Sequence, residues 1–187
     1  MLEPVELAPQ GLAVTLASAL IKFDRFEWLV EKTTEAGVRR LVPLDATRTE
    51  KGLAQAAHKR VERWRKIALE ASQQSRRDFL PEIAEPSRVP CIEEGIWRYY
   101  LEEDSSAPPF LNALPPEAER AADDEVVLAV GPEGGWTGAE REAWFASGYR
   151  PVSLGATVLR AETAAVVSVA LVRCAWQASN ANGAAVR

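Results

Sequence analysis

The chain has 187 residues, of which 47% are hydrophobic and 26% charged, with a formal net charge of −5. That length suits one ordinary domain with a real core. The acidic balance excludes a surface that grips nucleic acid all over, and no apolar run is long enough for a membrane-spanning helix.

The opening Met-Leu-Glu-Pro-Val-Glu has neither the basic nor the apolar region of a signal peptide. Residues 1–10 read as a linker-like arm. Cys91 and Cys174 are too few and too far apart for a disulfide framework or a metal knuckle, and His58, the lone histidine, is expected at the surface. The expectation is a cytoplasmic protein without a metal.

Leu12 to Ile21 is apolar enough for a first buried strand. From Phe26 to Ala36, the residues Phe26, Leu29, Val30 and Thr33 recur at helical spacing, and Gly37 stands where a C-terminal cap belongs. Val38 to Leu44 reads as the second strand. A strand-helix-strand unit implies a parallel pair with a right-handed crossover.

Ala54 to Ser75 predicts one long helix, with Val61, Trp64, Ala68 and Ala71 on its apolar stripe and Lys59, Arg63 and Lys66 on another face. Between Lys59 and Arg77, seven basic residues face only Glu62 and Glu70, a local charge of +5. Such a run is either a local nucleic-acid contact or a solvated helix face. Phe79 to Ile83 and Ile96 to Leu101 are further short strands. Prolines at 108, 109, 115 and 116 then mark an exposed connection.

Val126 to Val130 is β-branched enough for a buried strand, and the chain then breaks into Gly131-Pro132-Glu133-Gly134-Gly135. Thr137 with Glu140 three residues on is a capping box, so a helix starts there. In an open α/β sheet this loop lies at the carboxyl end of its strand, where ligands bind and glycines let them approach main-chain amides. Its spacing is neither the dinucleotide fingerprint nor a P-loop. Tyr149 to Leu154 is another strand, Gly155 opens a loop, and Ala164 to Ala178 is a helix apolar nearly all round, central to the core or part of a subunit interface. Residues 179–187 are expected to form a loose tail. Strands alternating with helices throughout give an α/β fold with a mostly parallel sheet flanked by helices.

Gly131-Pro132-Glu133-Gly134-Gly135, followed about twenty residues later by Leu154-Gly155, then Leu159-Arg160-Ala161-Glu162-Thr163-Ala164, resembles the RsmE family of ribosomal RNA methyltransferases, of the SPOUT class. The likeness runs from about Lys22 to about Val172 and takes in Glu31 to Val38 and Lys66 to Arg77. Gln73 and Arg76 depart from the family's usual glutamate and glycine. Family members usually begin with a PUA-like β-barrel that helps to bind RNA; this sequence starts where that domain ends, so residues 1–187 are expected to be a single SPOUT domain.

The resemblance implies a C-terminal trefoil knot, S-adenosylmethionine (SAM) as methyl donor, N3 of a uridine in 16S ribosomal RNA of the small subunit as acceptor, and a homodimer whose interface includes the last helix. Cofactor contacts are expected at Leu128, Val130, Gly131, Glu133, Gly134 and Gly135 in the first motif. In the second they are expected at Leu154, Gly155, Leu159, Arg160, Glu162, Thr163 and Ala164. Arg160 is the candidate to stabilise the uridine anion, or else it pairs with Glu133 or Glu162. Glu162 is a general base or a cap of the last helix. Lys66, Glu70, Gln74 and Arg77 are the expected RNA-side residues, against a bland reading as solvated helix positions. Trp136 and Trp144 either stack on a base or pack in the core. A SPOUT enzyme for another RNA base or ribose, and a non-catalytic SAM- or RNA-binding module, are the alternatives.

Overall fold

The computed structural model describes residues 11–90, 95–104 and 106–184, the last six as backbone only. The expected arm at residues 1–10 and Cys91 lie outside them. The strands are β1 (Ala13–Ala19), β2 (Arg40–Asp45), β3 (Glu82–Ile83), β4 (Ser87–Arg88), β5 (Trp97–Leu101), β6 (Glu125–Val130) and β7 (Arg150–Val152). They form one sheet in the order β3-β2-β1-β6-β5-β7, with β4 also on β2, and every strand pairing among the described residues is parallel. Parallel sheets need both faces covered, and the two central strands, β1 and β6, are buried along nearly their whole length.

Alternation along β6 divides the core in two. Val126, Leu128 and Val130 face α1 (Phe23–Glu35), α3 (Val61–Gln74) and α6 (Ala161–Ala184), in a cluster with Phe26, Trp64 and Val169. Val127 and Ala129 face the other side, where Trp136, Trp144 and Tyr149 pack around α5 (Gly138–Ala146). Trp136 and Trp144 meet edge to face at 5.4 Å, and Trp144 and Tyr149 at 4.6 Å. Such aromatic pairs favour tilted and edge-on geometries because of the ring quadrupole. Trp136 and Trp144 are thus core residues, as the bland reading had it.

α1 stops as its sequence predicts. Val38 N–H donates to Thr33 O at 2.9 Å and Gly37 N–H to Thr34 O at 3.0 Å, the two bonds of a Schellman motif, and Gly37 takes φ +99°. The predicted long helix is instead interrupted. α2 (Leu53–Ala57) passes through a 3₁₀ turn, His58–Arg60, into α3. Two short elements that the sequence reading does not separate from loop also appear, β4 and α4 (Phe110–Ala113). α6 begins three residues before Ala164 and runs on from Ala178 to Ala184, into the stretch expected as a loose tail.

α6 buries Ala165, Ser168, Val169, Val172 and Trp176 along one stripe against α1, β1 and β6. Trp176 Nε1 donates to Asp124 at 2.9 Å. Of the two roles open to this helix, the core is therefore one that it fills. No helix of the described residues is long and apolar enough to cross a membrane.

Candidate functional site

A parallel sheet sends all its strands out at one edge, so the loops that follow neighbouring strands meet there. At the carboxyl ends of β5, β6 and β7, three such loops enclose a cavity of about 420 Å³, within the size range of small-molecule sites. Leu101, Glu102 and Glu103 come from the end of β5, Val130 to Glu133 with Gly135 and Trp136 from the glycine loop, and Ser153 to Ala161 from the loop after β7. Arg25 of α1 and Ala164 of α6 complete the wall. The two motifs, separated in sequence, thus form one site.

Each glycine of the first motif has its own physical reason. A Cβ on Gly131 would meet the Trp136 ring at 3.1 Å, so the chain passes tightly over a buried indole. Trp136 cannot give way readily, because it is 1% exposed and its Nε1 donates to Leu101 O at 3.0 Å. Gly135 takes φ +68°, which favours glycine. Gly134 faces away from the cavity, against Arg48, whose Nη1 donates to Gly134 O at 2.6 Å.

The loop is anchored behind by the predicted capping box. Thr137 Oγ1 accepts from Glu140 N–H, and Glu140 Oε2 accepts from Thr137 N–H at 2.8 Å. The other carboxylate oxygen of Glu140 accepts from Thr47 N–H at 2.8 Å, which ties in the loop after β2. Burial raises the Glu140 pKa, but the hydrogen bonds from Thr47 and Thr137 outweigh it and leave the net value lowered.

Most expected cofactor residues line the cavity: Val130, Gly131, Glu133, Gly135, Leu154, Gly155, Leu159, Arg160 and Ala164. Leu128, Gly134, Glu162 and Thr163 are not among its lining residues. The Leu128 side chain is buried in the core facing the helices, and Gly134 packs against Arg48.

Arg160 is exposed and, among the described residues, makes no ion pair and no side-chain hydrogen bond. The ion pair that was the alternative reading of Arg160 is made by Arg25, which bonds Glu133 and lies 4.0 Å from Glu162. Glu162 stands in the first turn of α6, 8% exposed, with Oε2 lacking any hydrogen-bond partner. Sequence reasoning missed Arg25 in this role, although it lies in the segment that carries the resemblance. It also missed Glu102 and Glu103, which only strand pairing brings to the site. Glu102 is held by Arg141 in a two-pronged pair, with Nη2 to Oε1 at 3.0 Å. Burial raises the Glu102 pKa, and Arg141 more than offsets that, leaving it lowered.

The structure does not bring all four expected RNA-side residues onto one face. Lys66 and Glu70 are exposed on α3 and lie 4.0 Å apart, while Glu70 and Gln74 line a groove between α1 and α3. Arg77 is turned inward: it donates to Thr34 O, and to Val38 O at 2.6 Å, beneath the end of α1, and lies 4.3 Å over the Phe79 ring. Burial, then the Arg173 charge, lowers its pKa to about 10, so it remains cationic at neutral pH. Much of the basic run is also neutralised locally, Arg60 and Arg63 by Glu27 and Arg65 by Glu62.

The family model described as "RNA methyltransferase domain" matches residues 8–173. Ribosomal RNA small subunit methyltransferase E of Synechocystis sp. is 38% identical over 163 residues, covering 85% of this chain and 52% of that protein. The protein of the same name in Bacillus subtilis is 32% identical, covering 86% of this chain and 65% of its own length. The chain therefore spans between about half and two thirds of the length of these curated relatives. Among solved structures, ribosomal RNA small subunit methyltransferase E from Neisseria gonorrhoeae, bound to S-adenosyl methionine, superposes with a TM-score of 0.76 at 26% identity, covering 92% of this chain and 70% of that one. A methyltransferase from Legionella pneumophila with bound cofactor SAM gives 0.78 at 27% identity, covering 89% and 67%.

Proposed function

The chain belongs to the RNA methyltransferase domain family, matched over residues 8–173, and from that premise we propose that it transfers a methyl group from SAM to N3 of a uridine in 16S ribosomal RNA. The observation that carries this reading is the meeting of the glycine loop and the loop after β7 in one cavity at the carboxyl edge of the sheet. The relatives named for small-subunit ribosomal RNA methylation, and the neighbours solved with SAM, supply the cofactor and the substrate class.

The residues fit such a cofactor. Leu154, Val158 and Leu159 offer an apolar slot for an adenine, and Gly131 and Gly135 let a ligand approach the backbone. When bound, the cofactor supplies an activated methyl group on a sulfonium. Charge is lost when that group moves to an anionic nitrogen, so an enclosed site favours the step, and most of the acceleration comes from orientation. Arg160, exposed and among the lining residues, is the proposed group to stabilise the uridine anion through a carbonyl oxygen. Glu162, with its unpartnered oxygen, is the proposed acceptor for a proton-bearing group. Lys66, Glu70 and Gln74 are the proposed RNA-side residues on α3.

A homodimer and a trefoil-knotted C-terminal region belong to the same proposal, on the strength of the family resemblance alone. A ribosomal RNA substrate also implies action in the cytoplasm, where ribosomes are assembled. Incubation with small ribosomal subunits lacking the modification, followed by mass analysis of the digested RNA, tests the reaction. The expected product is 3-methyluridine at a single site; a methyl group on another base or on ribose would redirect the assignment, and no transfer by folded protein would favour a binding module.

A further inference from the structure

Three elements distant in sequence meet at one side chain. Arg25 stands in the first turn of α1, where Nη1 bonds Glu133 of the glycine loop and Nε lies 4.0 Å from Oε1 of Glu162, in the first turn of α6. Arg25 and Glu133 both line the cavity, and Glu162 lies between the lining residues Ala161 and Ala164. No chain connection holds these groups in register, because 108 residues separate Arg25 from Glu133.

The far side of Glu162 is the second observation. The residue is 8% exposed, Arg25 is beside one oxygen, and Oε2 has no partner. Buried polar atoms are almost always satisfied, and leaving one unsatisfied is unfavourable. A buried carboxylate that lacks such a partner depends the more on the Arg25 charge beside it. A guanidinium suits a bridge between two carboxylates, because its planar fork presents its N–H groups in fixed directions.

Building on the methyltransferase reading, we infer that Arg25 is a positioning residue, which bonds Glu133 and faces Glu162 and so keeps the glycine loop and the start of α6 in register around the cofactor cavity.

Arg25→Ala, Arg25→Lys and Glu162→Gln are compared by calorimetric titration with S-adenosylhomocysteine, methyl transfer to small subunits and thermal melting. Arg25→Ala is expected to lose at least about tenfold in kcat/KM through misplacement of the site, with partial recovery in Arg25→Lys. Misplaced cavity walls predict weaker S-adenosylhomocysteine binding in Arg25→Ala, and to a lesser degree in Glu162→Gln. Variants that melt earlier yet keep wild-type binding and kcat/KM overturn the inference, since a structural role alone would do that. A wild-type chain that neither binds nor transfers overturns the functional reading itself, and this inference with it. Should Arg25→Ala fail to fold, Arg25→Lys and Glu133→Gln, the latter at an exposed carboxylate, carry the same comparison.

Discussion

Arg48 donates to the carbonyl oxygen of Gly134 at 2.6 Å, across 86 residues of chain, and so clasps the loop after β2 to the glycine loop. This contact gives Gly134 a different task from its neighbours. Its hypothetical Cβ would meet only the flexible Arg48 side chain, at 3.3 Å, whereas one on Gly131 would press on the Trp136 ring at 3.1 Å. Gly135 has the positive φ.

A graded alanine series follows. Gly131→Ala is expected to destabilise by about 1–3 kcal/mol through overpacking, and Gly135→Ala by about 1–2 kcal/mol through backbone strain. Gly134→Ala should stay within about 0.5 kcal/mol. Chemical denaturation of the three variants checks the order.

The second prediction concerns acid. The folded Glu140 pKa is held below its ordinary value, so the stability this group contributes is fully present above that ordinary value, about 4.3, and is lost as pH falls through the folded one. Glu140→Gln should therefore melt below wild type at pH 7, by an amount equivalent to about 1 kcal/mol, because an amide has one carbonyl oxygen for the two N–H groups that the carboxylate accepts. The gap should close as the pH is lowered toward 3. Melting curves at half-unit pH steps measure it; a gap that stays constant with pH would assign the loss to shape rather than charge.

Arg77 gives a third. Its guanidinium donates to Thr34 O and Val38 O at the end of α1, so Arg77→Ala should cost about 1–3 kcal/mol by removing the side-chain donor of Val38 O and one of the two donors of Thr34 O, which keeps Gly37 N–H. RNA binding by the folded variant should be little changed. A stable variant with weakened RNA binding would return Arg77 to the RNA side.

Arg160 should behave in the opposite way. Exposed and unpaired among the described residues, it can be replaced by alanine with little change in melting temperature. Transfer should fall by about 10²–10³ in kcat, the range for removal of one stabilising donor. Steady-state kinetics with saturating cofactor separates this from a binding defect.

The sequence revealed those parts of the molecule that depend on local chemistry. Gly37 after a helical period, the Thr137–Glu140 box and the β-branched run at 126–130 each act within a few residues, and each appears where it was expected. Pairing across the sheet was not legible in the same way. Nothing near Glu102 or Glu103 in sequence indicates that β5 lies beside β6, and nothing near Arg25 indicates Glu133. The inward turn of Arg77 was hidden for a related reason: a charge run reads as a surface until tertiary packing shows which member turns inward. The 3₁₀ interruption at His58–Arg60 keeps the helical hydrophobic pattern, so periodicity did not disclose it.

The central claim is that the cavity formed by the loops after β5, β6 and β7 holds the methyl donor. Hydrogen exchange with and without S-adenosylhomocysteine tests it most directly, because it reads the location of binding without any substitution. Slower exchange is expected to concentrate at residues 131–136 and 153–164, with the remainder of the sheet little affected. Binding that leaves those two segments unprotected would contradict it, as would full protection elsewhere on the fold.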